Sequence, residues 1–195
     1  VGHTGAGKST LISLLLRFYE PQRGRILVDG KDLREWDRRE LRSRIGMIQQ
    51  DVFLFSGSIA ENVTLFKAGV DVAPDLARFA NRGELYERGV NLSMGERQRI
   101  AFLRAKASEP DLWILDEATS NVDSRTELEI SRELTQAARG KTQLLVAHRL
   151  ATVRECDLIL VLHQGELVEA GRHEELVRAG GTYSKLVALQ QLSGS

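Results

Sequence analysis

The chain opens on the feature that most constrains it. Gly2-His3-Thr4-Gly5-Ala6-Gly7-Lys8-Ser9 fits the spacing G-x-x-x-x-G-K-[ST]. Glycines at these positions let the backbone curl until successive N–H groups converge on phosphate oxygens. Lys8 brings a point charge to the outer phosphates, and the Ser9 hydroxyl is placed to ligate Mg²⁺. A helix predicted over Ser9–Tyr19 aims its positive end at the same anion. A loop of this kind follows a buried strand, and here that strand would lie upstream of Val1. The sequence is therefore expected to start inside a domain and to be part of a longer protein.

Beyond the loop, short apolar runs alternate with helical stretches, the pattern of an α/β fold. Arg25–Val28 reads as a strand closed by the turn dipeptide Asp29-Gly30. Asp37 and Glu40 have the spacing of a capping box that opens a short helix to Arg44. Ile45–Gln49, Asp111–Asp116, Thr142–Ala147 and Asp157–Leu162 read as buried strands. Gln164-Gly165 turns the last of these into Glu166–Glu169, a hairpin. The stretch from Gly57 to Ala107 is helical instead. There Ser93 and Glu96 form a second capping-box pattern, followed by Ile100, Leu103 and Ala107 at helical spacing. His173 to Gln191 reads as two helices broken at Gly180-Gly181.

Composition excludes several classes. Lys+Arg and Asp+Glu are both 27, so a general polyanion-binding surface is not expected. Aromatic residues at 6% leave few stacking platforms for single-stranded nucleic acid. The single cysteine, Cys156, allows no internal disulfide and reads as a small buried residue. No run approaches the ~20 apolar residues that cross a bilayer. The arginines at 38, 39, 42 and 44 read as a solvated helix face.

A second chemical signal lies at Leu112-Trp113-Ile114-Leu115-Asp116-Glu117, an apolar strand ending in two acids. Beside a phosphate loop, the first carboxylate can hold Mg²⁺ through water and the second can polarise an attacking water. The chain now resembles the nucleotide-binding domain of ATP-binding cassette (ABC) transporters. Leu92-Ser93-Met94-Gly95-Glu96 resembles the family signature Leu-Ser-Gly-Gly-Gln, with departures at Met94 and Glu96. Gln50-Asp51 with Leu54-Phe55 resembles the Q-loop, Ser120-Asn121-Val122-Asp123 the D-loop, and His148 the switch histidine. These matches run in family order. Phe55-Ser56-Gly57-Ser58-Ile59-Ala60-Glu61-Asn62-Val63, Tyr86-Glu87-Arg88-Gly89 and the stretch from Gly165 to Leu176 resemble the exporter branch.

The resemblance implies an α/β fold: a P-loop NTPase (RecA-like) core over 1–56 and 108–195, with an inserted helical signature subdomain over 57–107. The N-terminal strands and the transmembrane domain would lie outside this chain. It implies ATP and Mg²⁺ as ligands. Residues Gly2, His3, Thr4, Gly5, Ala6, Gly7, Lys8, Ser9 and Thr10 would bind nucleotide; Ser9, Gln50 and Asp116 would serve the metal. Glu117, His148 and Gln50 would form the catalytic set. Ser93, Gly95 and Glu96 would meet the γ-phosphate held by a second nucleotide-binding domain in a head-to-tail dimer. Transmembrane domains would be the other partner, no nucleic acid is expected, and the site of action would be the cytoplasmic face of a membrane, the bacterial inner membrane.

Two departures stand out besides those in the signature. The family's adenine-stacking aromatic residue is missing, and the segment between Asn62 and Leu92 is shorter than usual, with Phe66–Glu84 matching poorly. Lys106, where the family has an apolar residue, reads as a snorkelling side chain. A soluble ABC ATPase of DNA repair or translation is the alternative; it would carry a coiled-coil or basic insertion, and none is visible. A non-hydrolysing regulatory domain is a third reading, against which Glu117 and His148 both speak.

Overall fold

The computed structural model describes all residues except 50, 66, 68, 117–123, 147–152 and 194–195. Its helices are α1 (Lys8–Leu15), α2 (Arg38–Ser43), α3 (Ile59–Thr64), α4 (Ala73–Leu76), α5 (Met94–Lys106), α6 (Ser124–Ala137), α7 (His173–Ala179) and α8 (Thr182–Ser193). The strands are β1 (Leu27–Val28), β2 (Lys31–Asp32), β3 (Ile45–Ile48), β4 (Leu112–Asp116), β5 (Thr142–Val146), β6 (Ile159–His163) and β7 (Glu166–Gly171). They pair as β1–β2, β3–β4–β5 and β6–β7. This is the α/β architecture expected. The chain gathers into two compact units, one of Val1–Trp36 with Leu145–Ser195 and one of Asp37–Leu144.

In the first unit α1 ends four residues before the Tyr19 expected from apolar spacing. The reason is local. Arg17 takes the left-handed conformation at φ 53°, and Phe18 N–H donates to Ser13 O at 2.9 Å while Arg17 N–H donates to Leu14 O at 3.0 Å. That 6→1 and 5→2 pair closes the helix without glycine. The Arg17 guanidinium is then spent on Trp36 O and on the Glu20 carboxylate, the latter at 2.9 Å. β1 and β2 form the expected two-residue hairpin, with Asp29 at φ 51° and Gly30 at φ 78°, the double left-handed turn that matches strand twist. β6 and β7 pair antiparallel from Ile159↔Gly171 to His163↔Glu166.

Val153, Ile159, Val161, Leu176 and Tyr183 form the core of this unit, with Val1, Cys156, Leu186 and Val187 packed against it. Burial pushes the Cys156 thiol above its ordinary pKa, as expected of a small interior residue. Tyr183 is fully buried and its hydroxyl meets His173 Nδ1 at 2.8 Å. The Glu169 carboxylate accepts the N–H groups of Thr182 and Tyr183, capping α8 after the break at Gly180-Gly181.

In the second unit Asp37 caps α2 by accepting from Arg39 N–H at 2.8 Å and Glu40 N–H at 3.0 Å. β3 lies parallel to β4 in the register Ile45↔Leu112 to Ile48↔Leu115. Their inner face packs on α5, where Phe102 stacks on Trp113 at 6.1 Å between centroids, with Ile100 and Ile114 fully buried. Lys106 is half-exposed at the end of α5, but it does more than snorkel: its ammonium pairs with Asp75 of α4 at 2.7 Å. Among the described residues no helix is long and apolar enough to cross a membrane.

Candidate functional site

The loop Gly2–Ser9 is built between β6 and α1. Val1 is paired to β6 as a parallel strand neighbour: its nitrogen donates to Leu160 O at 2.8 Å and its carbonyl accepts from Leu162 N–H at 2.9 Å. The chain then turns sharply. A Cβ on Gly2 would lie 2.3 Å from Leu162 O, and φ there is +151°, so only glycine fits. Ala6 N–H donates to His3 O at 3.1 Å, and Ala6 O accepts from Gly165 N–H at 3.1 Å, which fastens the loop to the β6–β7 turn.

Lys8 is buried, and its ammonium reaches back over the loop to Gly2 O at 2.7 Å and His3 O at 3.0 Å. Among the described residues its partners are these two carbonyls, and an anion placed beside the ammonium gains a charge-assisted bond. Gly7 caps α1 at φ 100°, and no side chain caps the helix. The first turn of α1 therefore presents backbone N–H groups and its dipole to whatever lies in the loop. His3, Thr4, Gly5, Ser9 and Thr10 are exposed, so the mouth of the loop is open on the side of the Ser9 hydroxyl. These features suit a triphosphate, and the loop residues expected from the sequence, Gly2 to Thr10, lie together on this turn and the start of α1. The Ser9 hydroxyl fits Mg²⁺, a hard cation that takes oxygen ligands.

The second candidate set lies within the other unit, at the N-terminus of α5. Ser93 Oγ accepts from Glu96 N–H at 3.2 Å, and Ser93 N–H donates to a Glu96 carboxylate oxygen at 2.9 Å. The capping box expected from the sequence is thus formed, with Gly95 buried beneath it. The other Glu96 oxygen accepts from the Arg82 guanidinium. Burial works to raise the Glu96 pKa, but Ser93 and Arg82 outweigh it and hold the carboxyl below its ordinary value.

Farther along α5, Gln98 Nε2 donates to Gln49 O at 3.3 Å, tying the helix to the end of β3, next to Gln50. Asp116 closes β4 and is partly buried. Gln50, Glu117, residues 120–123 and His148 lie outside the described residues.

Several positions beside these were not singled out from the sequence. Arg99 is buried and bridges Glu129 at 2.8 Å and Glu133 at 2.7 Å, locking α5 to α6. Arg104 donates to Asn62 O at 2.9 Å and Phe53 O at 3.1 Å, and burial lowers its pKa. Asn62 is fully buried and holds Phe55 by both backbone groups, its Oδ1 2.8 Å from Phe55 N and its Nδ2 2.9 Å from Phe55 O. No linear pattern in the sequence reveals a side chain that serves as the hydrogen-bond partner of an irregular backbone segment.

Comparison with known proteins gives the family. The family model described as ABC transporter matches residues 1–120. A putative ABC transporter ATP-binding protein, exp8, of Streptococcus pneumoniae is 41% identical over 203 residues, covering 97% of this chain and 35% of that protein. A probable multidrug resistance ABC transporter ATP-binding/permease protein, YheH, of Bacillus subtilis is 43% identical over 205 residues, covering 98% of this chain and 30% of that protein. A solved structure of a bacterial Atm1-family ABC exporter with ATP bound superposes with a TM-score of 0.89 at 39% identity, covering 97% of this chain and 36% of that one. The chain thus spans about a third of the length of these relatives. With the phosphate loop and the capped signature both formed, and a family model spanning residues 1–120, the chain belongs to the ABC transporter family.

Proposed function

We propose that this chain is the ATP-binding and ATP-hydrolysing motor domain of an ABC exporter. The observation that carries the reading is the loop itself: the buried Lys8 ammonium on Gly2 O and His3 O, and a helix N-terminus with no side-chain cap, stand on one turn of the chain. ATP is the substrate, with its phosphates on Gly2–Thr10. Residues 1–56 and 108–195 make the RecA-like core, and 57–107 make a shortened helical signature subdomain.

Lys8 binds the outer phosphates. Ser9, Asp116 and Gln50 serve Mg²⁺, which supplies charge neutralisation at the phosphates. Glu117 accepts a proton from, and orients, the attacking water, and His148 contacts the γ-phosphate and stabilises charge that develops there. Ser93, Gly95 and Glu96 serve the nucleotide of a second nucleotide-binding domain facing head to tail. ATP holds the closed pair because it binds that state better than the open one; closure moves the helical segment, and the region after Gln50 passes that motion to transmembrane domains. The motor works at the cytoplasmic face of a membrane, the bacterial inner membrane.

Lys8→Ala tests the reading in the full-length protein. Nucleotide affinity, measured by equilibrium binding, falls by at least about ten-fold, since one charge-assisted contact is worth roughly 1.5–3 kcal/mol. Unchanged affinity would remove the loop from the site.

A further inference from the structure

The signature of this chain departs from its family at Glu96, and the structure shows what accompanies that departure. Glu96 stands in the first turn of α5, one hydrogen bond from Ser93. An ionised carboxylate there offsets the positive end of the helix. It also stands beside the position proposed for a partner's γ-phosphate, and two anions at such spacing repel. The neutral amide of a glutamine at that position would not.

Arg82 answers this charge. Its guanidinium lies on the Glu96 oxygen that Ser93 does not use. It comes from the segment before the signature, between the short helical turn Ala77–Phe79 and Leu85, which lies within the stretch that matches the family poorly. The side chain of Arg82 is 49% exposed and that of Glu96 24%, so the pair faces the same solvent that an approaching phosphate would. A guanidinium carries five donors, more than a single carboxylate oxygen takes.

We propose that Arg82 is a positioning residue of the signature half-site: it neutralises Glu96 and holds its carboxylate against Ser93, so that a phosphate from the opposite domain can approach. This rests on the signature reading given above. Glu96 and Arg82 form a matched pair, and the requirement for Arg82 exists because residue 96 is acidic.

The test uses the full-length transporter in membranes, with a distance label across the domain interface and MgATP as the probe. Arg82→Ala raises the ATP concentration for half-maximal closure by about ten-fold, the scale of one charge-assisted contact. In an E96Q background the same change alters it by less than about two-fold, because no carboxylate is left to neutralise. Arg82→Lys, which keeps the charge but not the fork, falls between the parent and Arg82→Ala. The Arg82→Ala loss shrinks as salt is raised toward about 1 M, where exposed charges are screened within about 3 Å.

Equal losses in both backgrounds would make Arg82 a purely structural residue and overturn the proposal, as would no loss in either. If Arg82→Ala does not fold, the Arg82→Lys series in the two backgrounds decides by the same comparison. Ser93→Arg separates the two levels of the argument. If it closes normally with ATP, the signature reading itself fails; if it blocks closure while Arg82→Ala behaves as the parent, only the role of Arg82 fails.

Discussion

Asn62→Ala removes a side chain that is fully buried and makes four hydrogen bonds: it accepts from Phe55 N–H at 2.8 Å and Arg104 Nη2 at 3.5 Å, and donates to Phe55 O at 2.9 Å and Ser58 O at 3.0 Å. They are not equal losses. Ser58 O keeps a second donor, the Asn62 backbone N–H at 3.2 Å, so it is not orphaned. The two bonds to Phe55 are lost with the side chain. At about 1 kcal/mol for each net bond, the loss is roughly 2–4 kcal/mol. For a domain of this size about 2–4 °C of Tm accompanies each kcal/mol, so Tm falls by roughly 5–15 °C. The segment around Phe55 has no regular secondary structure to hold it otherwise, and Phe53 packs edge-to-face on Phe55 at 5.1 Å between centroids. Thermal unfolding of the ATP-binding domain gives the first reading, and hydrogen exchange at the Phe55 amide the second. A Tm within about 2 °C of the parent, with that amide still protected, would refute the reasoning.

Two further perturbations follow from the same bonds and charges. Gly2→Ala places a methyl carbon 2.3 Å from Leu162 O at φ +151°, so the loop must leave β6, and nucleotide affinity falls even though no phosphate-binding side chain is touched; retained affinity by equilibrium titration would contradict the loop geometry. The side-chain hydrogen bond from Arg34 is the first of the interactions that hold Asp32 at a pKa of about 2, against an ordinary 3.8. The folded value is depressed, so its contribution is present above the ordinary value and is lost as pH falls through the folded one; the stability lead over Asp32→Asn is constant near neutrality and narrows between about pH 4 and 2, as urea unfolding at a series of pH values measures.

The turn from Gly2 to Ser9 was legible because its spacing is local and Gly2, Gly5 and Gly7 are needed for the backbone they allow. The strands were legible as compact apolar runs, and the Asp29-Gly30 and Gln164-Gly165 turns from their residue types. The end of α1 was not, because Leu14, Leu15 and Leu16 continue the helical pattern while the stop comes from Arg17 in a conformation that arginine rarely adopts. The signature cap was readable from Ser93 and Glu96 three apart. Arg82, fourteen residues away and in a turn, carried no signal of its pairing with Glu96. Lys106 with Asp75 and Arg99 with Glu129 and Glu133 have the same character. Each is a charge whose partner is set by how helices pack, and helix packing is not periodic in sequence. Glu117 and His148 were identified by motif alone.

The central claim is that this chain turns over ATP through a carboxylate at the end of β4, and Glu117→Gln tests it most directly. The substitution keeps shape and removes the charge that polarises water. In the full-length transporter, with ATP turnover and bound nucleotide measured on the same sample, the account predicts that nucleotide is retained while turnover falls by at least about two orders of magnitude, the usual scale of a lost general base. Turnover above about a tenth of the parent rate, with nucleotide bound as before, would contradict it.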